Sequence, residues 1–386
     1  MAGIRILMPK VTNSKTFCAA PWTGLNIDQT GLVMPCQMTD YKLGNLQNQT
    51  IQEILVSEPL RELRNTMIRG EWHPACAWCK QREDTSGCSA RTTKLISDDI
   101  KSRIDQDAEY FHLTDLAVNW SNLCNISCVY CNPHTSTAWQ SVKGIPIVYT
   151  RNKHQDLVSL AQEHGMHITG LMLGGGEPLL QKLLPEFLDH LNPQICRVVV
   201  TTNLSMDITN NAVYRRLREW PIVTWMISFD NANPQRFEYV RHGAKWDQFY
   251  QNINQLRLDK QQISAHPAYS IYCALDLENY YAFCHNEGLD LFWCELTHPW
   301  DLDARRMPLL FRQRAIEVID TVTKRYPNMY SETTLLGYRQ TLVDPAYIVG
   351  SNYQPRTRDW HRDIEKELGL SYKFEELWPE EANYLP

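Results

Sequence analysis

Cys124-Asn125-Ile126-Ser127-Cys128-Val129-Tyr130-Cys131 is the stretch on which the reading of this chain turns. It is a Cys-x3-Cys-x2-Cys run placed directly after Leu116 to Trp120, an apolar segment that reads as a strand. Thiolates are the usual ligands of a cubane iron–sulfur cluster, which has four irons and takes four cysteines when fully held. Three closely spaced cysteines leave one iron without a protein ligand. That open position suits the amine and carboxylate of a small molecule. Zinc sites usually complete four ligands in paired Cys-x2-Cys units, so the triplet fits them poorly.

Downstream of about residue 113, apolar strands alternate with helical segments, the pattern of a parallel sheet built from βα units. The strands read as Leu116 to Trp120, Gly170 to Leu173, Arg197 to Thr201, Val223 to Ser228, Ser264 to Tyr272 and Leu289 to Leu296. Six such strands predict a partial barrel. Leu179 to Leu191, Ala212 to Trp220, Trp246 to Leu258 and Pro308 to Tyr326 read as helices. Functional groups gather at the carboxyl ends of barrel strands, which puts Gly174-Gly175-Gly176-Glu177, Thr201-Thr202-Asn203 and Ser228-Phe229-Asp230 among the site candidates. Arg241 follows that Asp by eleven residues. Glycines let backbone approach a ligand closely, and a carboxylate accepts charge-assisted hydrogen bonds from an ammonium. Ser228, Asp230 and Asn203 also suit helix caps, and Arg241 a surface ion pair.

The Cys124 loop resembles the signature of the radical S-adenosylmethionine (SAM) superfamily. The resemblance implies that the cosubstrate sits on the open iron, is cleaved by one electron to a 5'-deoxyadenosyl radical, and that this radical abstracts hydrogen from substrate. Tyr130 takes the place of the superfamily's aromatic near the adenine. Gly175, Gly176 and Glu177 match its Gly-Gly-Glu motif, implied to bind the methionine amine. By the same resemblance Ser228 and Asp230 lie near the ribose and Arg241 near the carboxylate, with Asn203 as a further cosubstrate contact. No catalytic acid or base is singled out, and a lone His298 past the sixth strand carries no bet.

Cys18, Cys36, Cys76, Cys79 and Cys88 form a second, N-terminal group. Residues 22 to 36 read as a hairpin turning at Asp28-Gln29-Thr30-Gly31. Thr50 and Glu53 make a capping box ahead of a helix, and another helix runs through Leu60, Leu63 and Met67 to a stop at Gly70. This region resembles the SPASM domain and, more closely, its shorter twitch form. The resemblance implies an auxiliary 4Fe-4S cluster on Cys18, Cys36, Cys76 and Cys79, with Cys88 left over. A four-cysteine zinc knuckle stays open as an alternative. Such a module usually follows the barrel; here it precedes it, which leaves its docking undecided.

The expected fold is therefore α/β, a partial (β/α)6 TIM-like barrel with a small N-terminal α+β iron–sulfur domain and a C-terminal helical or irregular cap. The expected divisions are 1–105, 106–300 and 301–386. The tail from Asn352 to Pro386 shows no chemistry and reads as a cap over an open barrel edge. A 386-residue chain with 43% hydrophobic and 21% charged residues is ordinary for a globular protein. Its net charge of -6 gives no footprint for nucleic acid. No apolar run approaches the ~18 residues that span a bilayer, and Met1 to Lys10 lacks a signal-peptide core, so the cytoplasm is expected. In that compartment the twelve cysteines read as ligands or buried thiols, and Cys196, Cys273, Cys284 and Cys294 as core. Expected partners are a peptide or small-molecule substrate and an electron donor such as flavodoxin or ferredoxin.

Overall fold

β4 (Asp115–Asn119), β5 (Gly170–Gly174), β6 (Arg197–Thr202), β7 (Val223–Ile227), β8 (Gln262–Ala265) and β10 (Asp290–Leu291) pair in parallel, each with the next. These pairings belong to a computed structural model that describes residues 11–148, 154–296, 298–327, 332–344 and 355–385. Met1 to Lys10, and Asn352 to Gln354 and Pro386 of the tail, lie outside that range. Side chains alternate across each strand. Leu171, Leu173, Val198, Val200, Trp225 and Ile227 are buried against the surrounding helices, whereas Met172, Val199 and Thr224 on the opposite face are half-buried. The sheet thus has one packed convex face and one open lumen, as a partial barrel requires.

The N-terminal segment joins this same sheet. β1 (Gly24–Ile27) pairs in parallel with β4, Gly24 opposite Asp115 and Ile27 opposite Val118. β2 (Leu32–Met34) returns antiparallel to β1, and β3 (Gly44–Asn45) follows it, giving the order β10-β8-β7-β6-β5-β4-β1-β2-β3. The turn is locally determined. Asp28 Oδ1 accepts from Thr30 N at 2.7 Å and Leu32 N at 3.0 Å, while Gly31 takes a φ of 83° that a side chain would resist. Trp22, fully buried before β1, donates its indole N–H to Ala108 O at 2.8 Å and lies under the Arg64 guanidinium. Arg64 in turn donates to Pro21 O at 2.9 Å, which fastens the start of the hairpin to the helix Glu58–Ile68. The Thr50–Glu53 capping box forms as expected.

Three expected elements are divided. Ser264 to Tyr272 divides into β8, β9 (Ala268–Tyr269) and the helix Ile271–Ala274, because Pro267 has no N–H with which to continue the ladder. Leu289 to Leu296 divides likewise into β10 and β11 (Cys294–Glu295), and β11 pairs with β9 in a separate two-stranded sheet. Leu179 to Leu191 becomes a turn, Pro178–Leu180, and a short helix, Leu184–Leu188, that restarts at Pro185. The tail folds as helices Thr357–Leu368, Phe374–Leu377 and Pro379–Tyr384. It packs on elements that follow the strands: Tyr239 donates to Glu365 at 3.1 Å, Trp378 donates to Tyr272 O at 3.1 Å, and Lys143 pairs with Glu367. None of the described helices is long and apolar enough to cross a membrane.

Because β1 is part of the barrel sheet, Ile27→Ala, at a fully buried position, is expected to cost about 2–5 kcal/mol. Guanidinium unfolding of the variant should remain one transition moved to lower denaturant. A separate early transition that leaves the barrel signal unmoved would show that the hairpin folds on its own.

Candidate active site

The Cys124–Cys131 loop leaves the carboxyl end of β4 and is pinned by backbone contacts. Ser127 N donates to His242 O and Val129 N to Val240 O, both at 2.9 Å, and the Trp139 indole donates to Cys128 O at 2.8 Å. Cys128 is buried, and Cys124 and Cys131 are half-buried. Burial pushes the Cys124 thiol up to about 11 and Cys128 to about 12, the latter opposed by the Arg241 guanidinium. Iron would displace those protons. Arg241 Nη1 lies 3.7 Å from Cys128 Sγ, its cation facing the thiol that a cluster would hold as thiolate. The three thiols and their cation fit an anionic cluster.

The glycine run serves this loop directly. A Cβ on Gly176 would stand 2.3 Å from Leu123 O, and one on Gly175, at a φ of 107°, would stand 2.7 Å from Ser121 O. Gly176 N and Glu177 N donate to Ser121 O and Leu123 O, each at 2.7 Å. Glycine is thus needed where the β5 loop meets the loop carrying the cysteines. Glu177 is turned inward: its carboxylate accepts from Thr202 Oγ1 at 2.8 Å, Asn203 N at 2.8 Å and Leu179 N at 3.0 Å. Burial outweighs those donors and raises its pKa to about 7. Through these bonds Glu177 holds Asn203, whose amide donates to Asn125 Oδ1 at 3.1 Å and reaches Cys124 Sγ at 3.8 Å.

Tyr130, Asp230 and Arg241 form one cluster, with Asp230 and Arg241 buried and Tyr130 half-buried. Asp230 Oδ2 accepts from Tyr130 Oη and from Arg241 Nε, each at 2.9 Å, and Oδ1 accepts from Ala268 N at 2.9 Å. The Arg241 guanidinium lies 5.2 Å from the Tyr130 ring centroid. Ser228 follows β7 with its N–H on Thr202 O at 2.9 Å, half-buried at the lumen rim.

His266 belongs with this group and was not apparent from sequence. β8 ends at Ala265, and His266 N donates to Ile227 O at 2.8 Å, so the residue caps its strand as Ser228 caps β7. Its Nδ1 lies 2.7 Å from Phe292 O. A carbonyl only accepts, so Nδ1 carries the proton and Nε2 keeps a free lone pair. Burial lowers its pKa, and nearby Arg241 lowers it further. The missed signal is the His266-Pro267 pair, which ends a strand.

The second cysteine group lies at the opposite end of the strands. Cys18 precedes β1, Cys36 follows β2, Cys76 ends the turn Pro74–Cys76 and Cys79 lies in the helix Ala77–Ser86. All four line one cavity together with Arg91 and the apolar Leu63 and Met67. Burial pushes Cys18 up to about 11 and Cys76 to about 12, and the charge of the neighbouring thiolates pushes each in the same direction. Cys88 is exposed and is not part of that lining. Among the described residues, no three His, Cys, Asp or Glu side chains converge as ligands of one metal ion do. A cubane instead takes thiols spread around it, one per iron. A larger cavity of ≈690 Å³ runs from Cys18, Cys36 and Cys79 to Ala117, Met172 and Val199 on the lumen face, and carries Lys94, Asp115 and Arg197.

Residues 118–259 match the radical SAM superfamily, and residues 18–80 match SPASM, an iron–sulfur cluster-binding domain. GTP 3',8-cyclase of Peptoclostridium acidaminophilum is 26% identical over 149 residues, which cover 36% of this chain and 41% of that protein. Molybdenum cofactor biosynthesis protein 1 of Dictyostelium discoideum is 26% identical over 168 residues, 43% of this chain and 25% of that protein. The chain thus spans less than half the length of these relatives. Among solved structures, Streptococcus suis SuiB bound to precursor peptide SuiA is 11% identical with a TM-score of 0.43, covering 81% of this chain and 73% of that one. Native anSMEcpe with bound AdoMet is 15% identical with a TM-score of 0.41, covering 56% and 61%.

Gly176→Ala is expected to displace the Cys124 loop and so to lower reconstituted iron from about eight to about four per chain. Wild-type iron content in that variant would contradict the close-approach account. In nitrogen-15 spectra of histidine-labelled protein, His266 should read as the neutral Nδ1–H tautomer at pH 7, charging only below its ordinary 6.5; an Nε2–H tautomer would refute the assignment.

Proposed function

From a chain that carries a radical SAM domain preceded by a SPASM domain, we propose an enzyme that reductively cleaves SAM and abstracts hydrogen from a substrate in the barrel lumen. Cys124, Cys128 and Cys131 hold the cluster of that reaction, which when bound supplies the cleaving electron and an open iron for the cosubstrate. Gly175 and Gly176 fix the cysteine loop. Glu177 orders Asn203 beneath it. Arg241, held by Asp230 and stacked on Tyr130, presents positive charge for the cosubstrate carboxylate, and Ser228 offers a hydroxyl at the rim. Cys18, Cys36, Cys76 and Cys79 would hold an auxiliary cubane, which when bound would supply an electron acceptor, and His266 Nε2 would receive the proton that an oxidised substrate gives up.

The observation that carries this reading is the cavity that leads from the N-terminal cysteine group to the amino-terminal part of the barrel lumen. Leu95 (91% exposed), Ile195 (42%) and Ile222 (38%) line the same cavity. Apolar side chains gathered on one mouth favour a partner larger than the cavity. The substrate is accordingly a side chain of a peptide or protein, with a reduced flavodoxin or ferredoxin as donor. A small-molecule substrate, such as a sugar or aminocyclitol alcohol, is the second reading; relatives named for a GTP reaction favour a small substrate. A noncatalytic iron–sulfur or zinc protein would leave the buried Asp230–Arg241 pair and the Tyr130 that covers it without a purpose.

Anaerobic reconstitution should give about eight irons per chain and 5'-deoxyadenosine under strong reductant. Cys124→Ala, Cys128→Ala or Cys131→Ala should abolish that product, while Cys76→Ala should keep it and lose about four irons. Undiminished 5'-deoxyadenosine in the first three variants would refute the assignment.

A further inference from the structure

Two cations flank the four N-terminal thiols, and they are held differently. Arg91 is fully engaged: it pairs with Glu83, with Nε on Oε1 at 2.9 Å, and donates to Phe17 O at 2.8 Å. Its guanidinium also lies 5.0 Å from the Trp72 ring centroid. Its charge is neutralised and fixed. Lys94 leaves the short helix Ala90–Thr93 and places Nζ 2.8 Å from Asp115 Oδ2, with its own side chain 18% exposed and that of Asp115 47% exposed. Asp115 opens β4, accepts from Thr114 Oγ1 at 2.7 Å on the same oxygen, and shares the cavity with Lys94, Cys18 and Cys36. The positive charge of Lys94 acts on both the Cys18 and the Cys36 thiol.

Building on the auxiliary-cluster reading above, we propose that Lys94 is a positioning residue that sets the reduction potential of the group held by Cys18, Cys36, Cys76 and Cys79, and that Asp115 makes this setting responsive to the contents of the cavity. A cubane on four thiolates is anionic, and reduction adds one more negative charge. A nearby cation stabilises the reduced form more than the oxidised one and raises the potential. Asp115 opposes Lys94 by sharing its ammonium. A ligand group that donates to Asp115, an amine or hydroxyl, frees the ammonium to act on the thiolate side and raises the potential further. The group on the four thiolates thus becomes a better electron sink when the cavity is filled.

The test is an EPR-monitored redox titration of the reconstituted full chain, in which SAM addition identifies the couple belonging to the Cys124 loop. Lys94→Met should shift the SAM-insensitive couple down by about tenfold in its reduced-to-oxidised ratio, ~59 mV for one electron. Asp115→Asn should shift it upward, and Lys94→Arg should keep it near wild type. The SAM-sensitive couple should stay put in all three, which a general loosening of the fold would not permit. Eight irons with an unmoved auxiliary couple in Lys94→Met would overturn the Lys94 assignment alone. A yield of only four irons in the wild type would overturn the auxiliary site and this proposal together.

Discussion

The parallel pairing of β1 with β4 is the constraint on which the rest depends. Gly24 stands opposite Asp115 and Ile27 opposite Val118, so both strands run the same way. Residues that precede β1 then fall at the amino end of the barrel and residues that follow β4 at its carboxyl end. That single register puts Cys18 and Cys124 at opposite mouths of one lumen. β2 turns back, which returns Cys36 to the side of Cys18. Had β1 paired antiparallel, both cysteine groups would share one end and no chamber would separate them.

Each end answers the same electrostatic demand in its own way. Thiols buried without iron resist ionisation, as Cys128 and Cys76 do, and each has an arginine close by. At the carboxyl end Arg241 is itself buried, which a lone charge cannot sustain; Asp230 balances it and Tyr130 covers it. At the amino end the ion pair of Lys94 with Asp115 stays partly open to the cavity. The first arrangement is rigid and suits a cosubstrate of constant shape. The second leaves a charge that can move when something enters.

Features written in contiguous residues were legible in the sequence. The cysteine triplet, the Asp28–Gly31 turn, the Thr50–Glu53 box and the helix Trp246–Leu258 all depend on neighbours within a turn or two. The six strands were legible from their apolar runs, though Pro267 broke the fifth where a propensity reading carried it through. What stayed hidden depends on pairing at long range. The N-terminal module's docking needed the β1–β4 register. His266 needed the true end of β8 and a carbonyl 26 residues away. Lys94 needed Asp115, on another element altogether. At Gly175 and Gly176 the sequence shows that a close approach is wanted, and the structure adds that a Cβ there would meet Ser121 O and Leu123 O.

If each cysteine group holds a cluster, the β1–β4 register puts the two at opposite ends of the strands, and pulsed EPR on the reduced, reconstituted protein would read their separation. The account predicts two spin centres, of which SAM perturbs one, separated on the order of 20 Å, a strand's length plus its flanking loops. A single centre, or two within about 10 Å of each other at one end of a strand of that length, would contradict it.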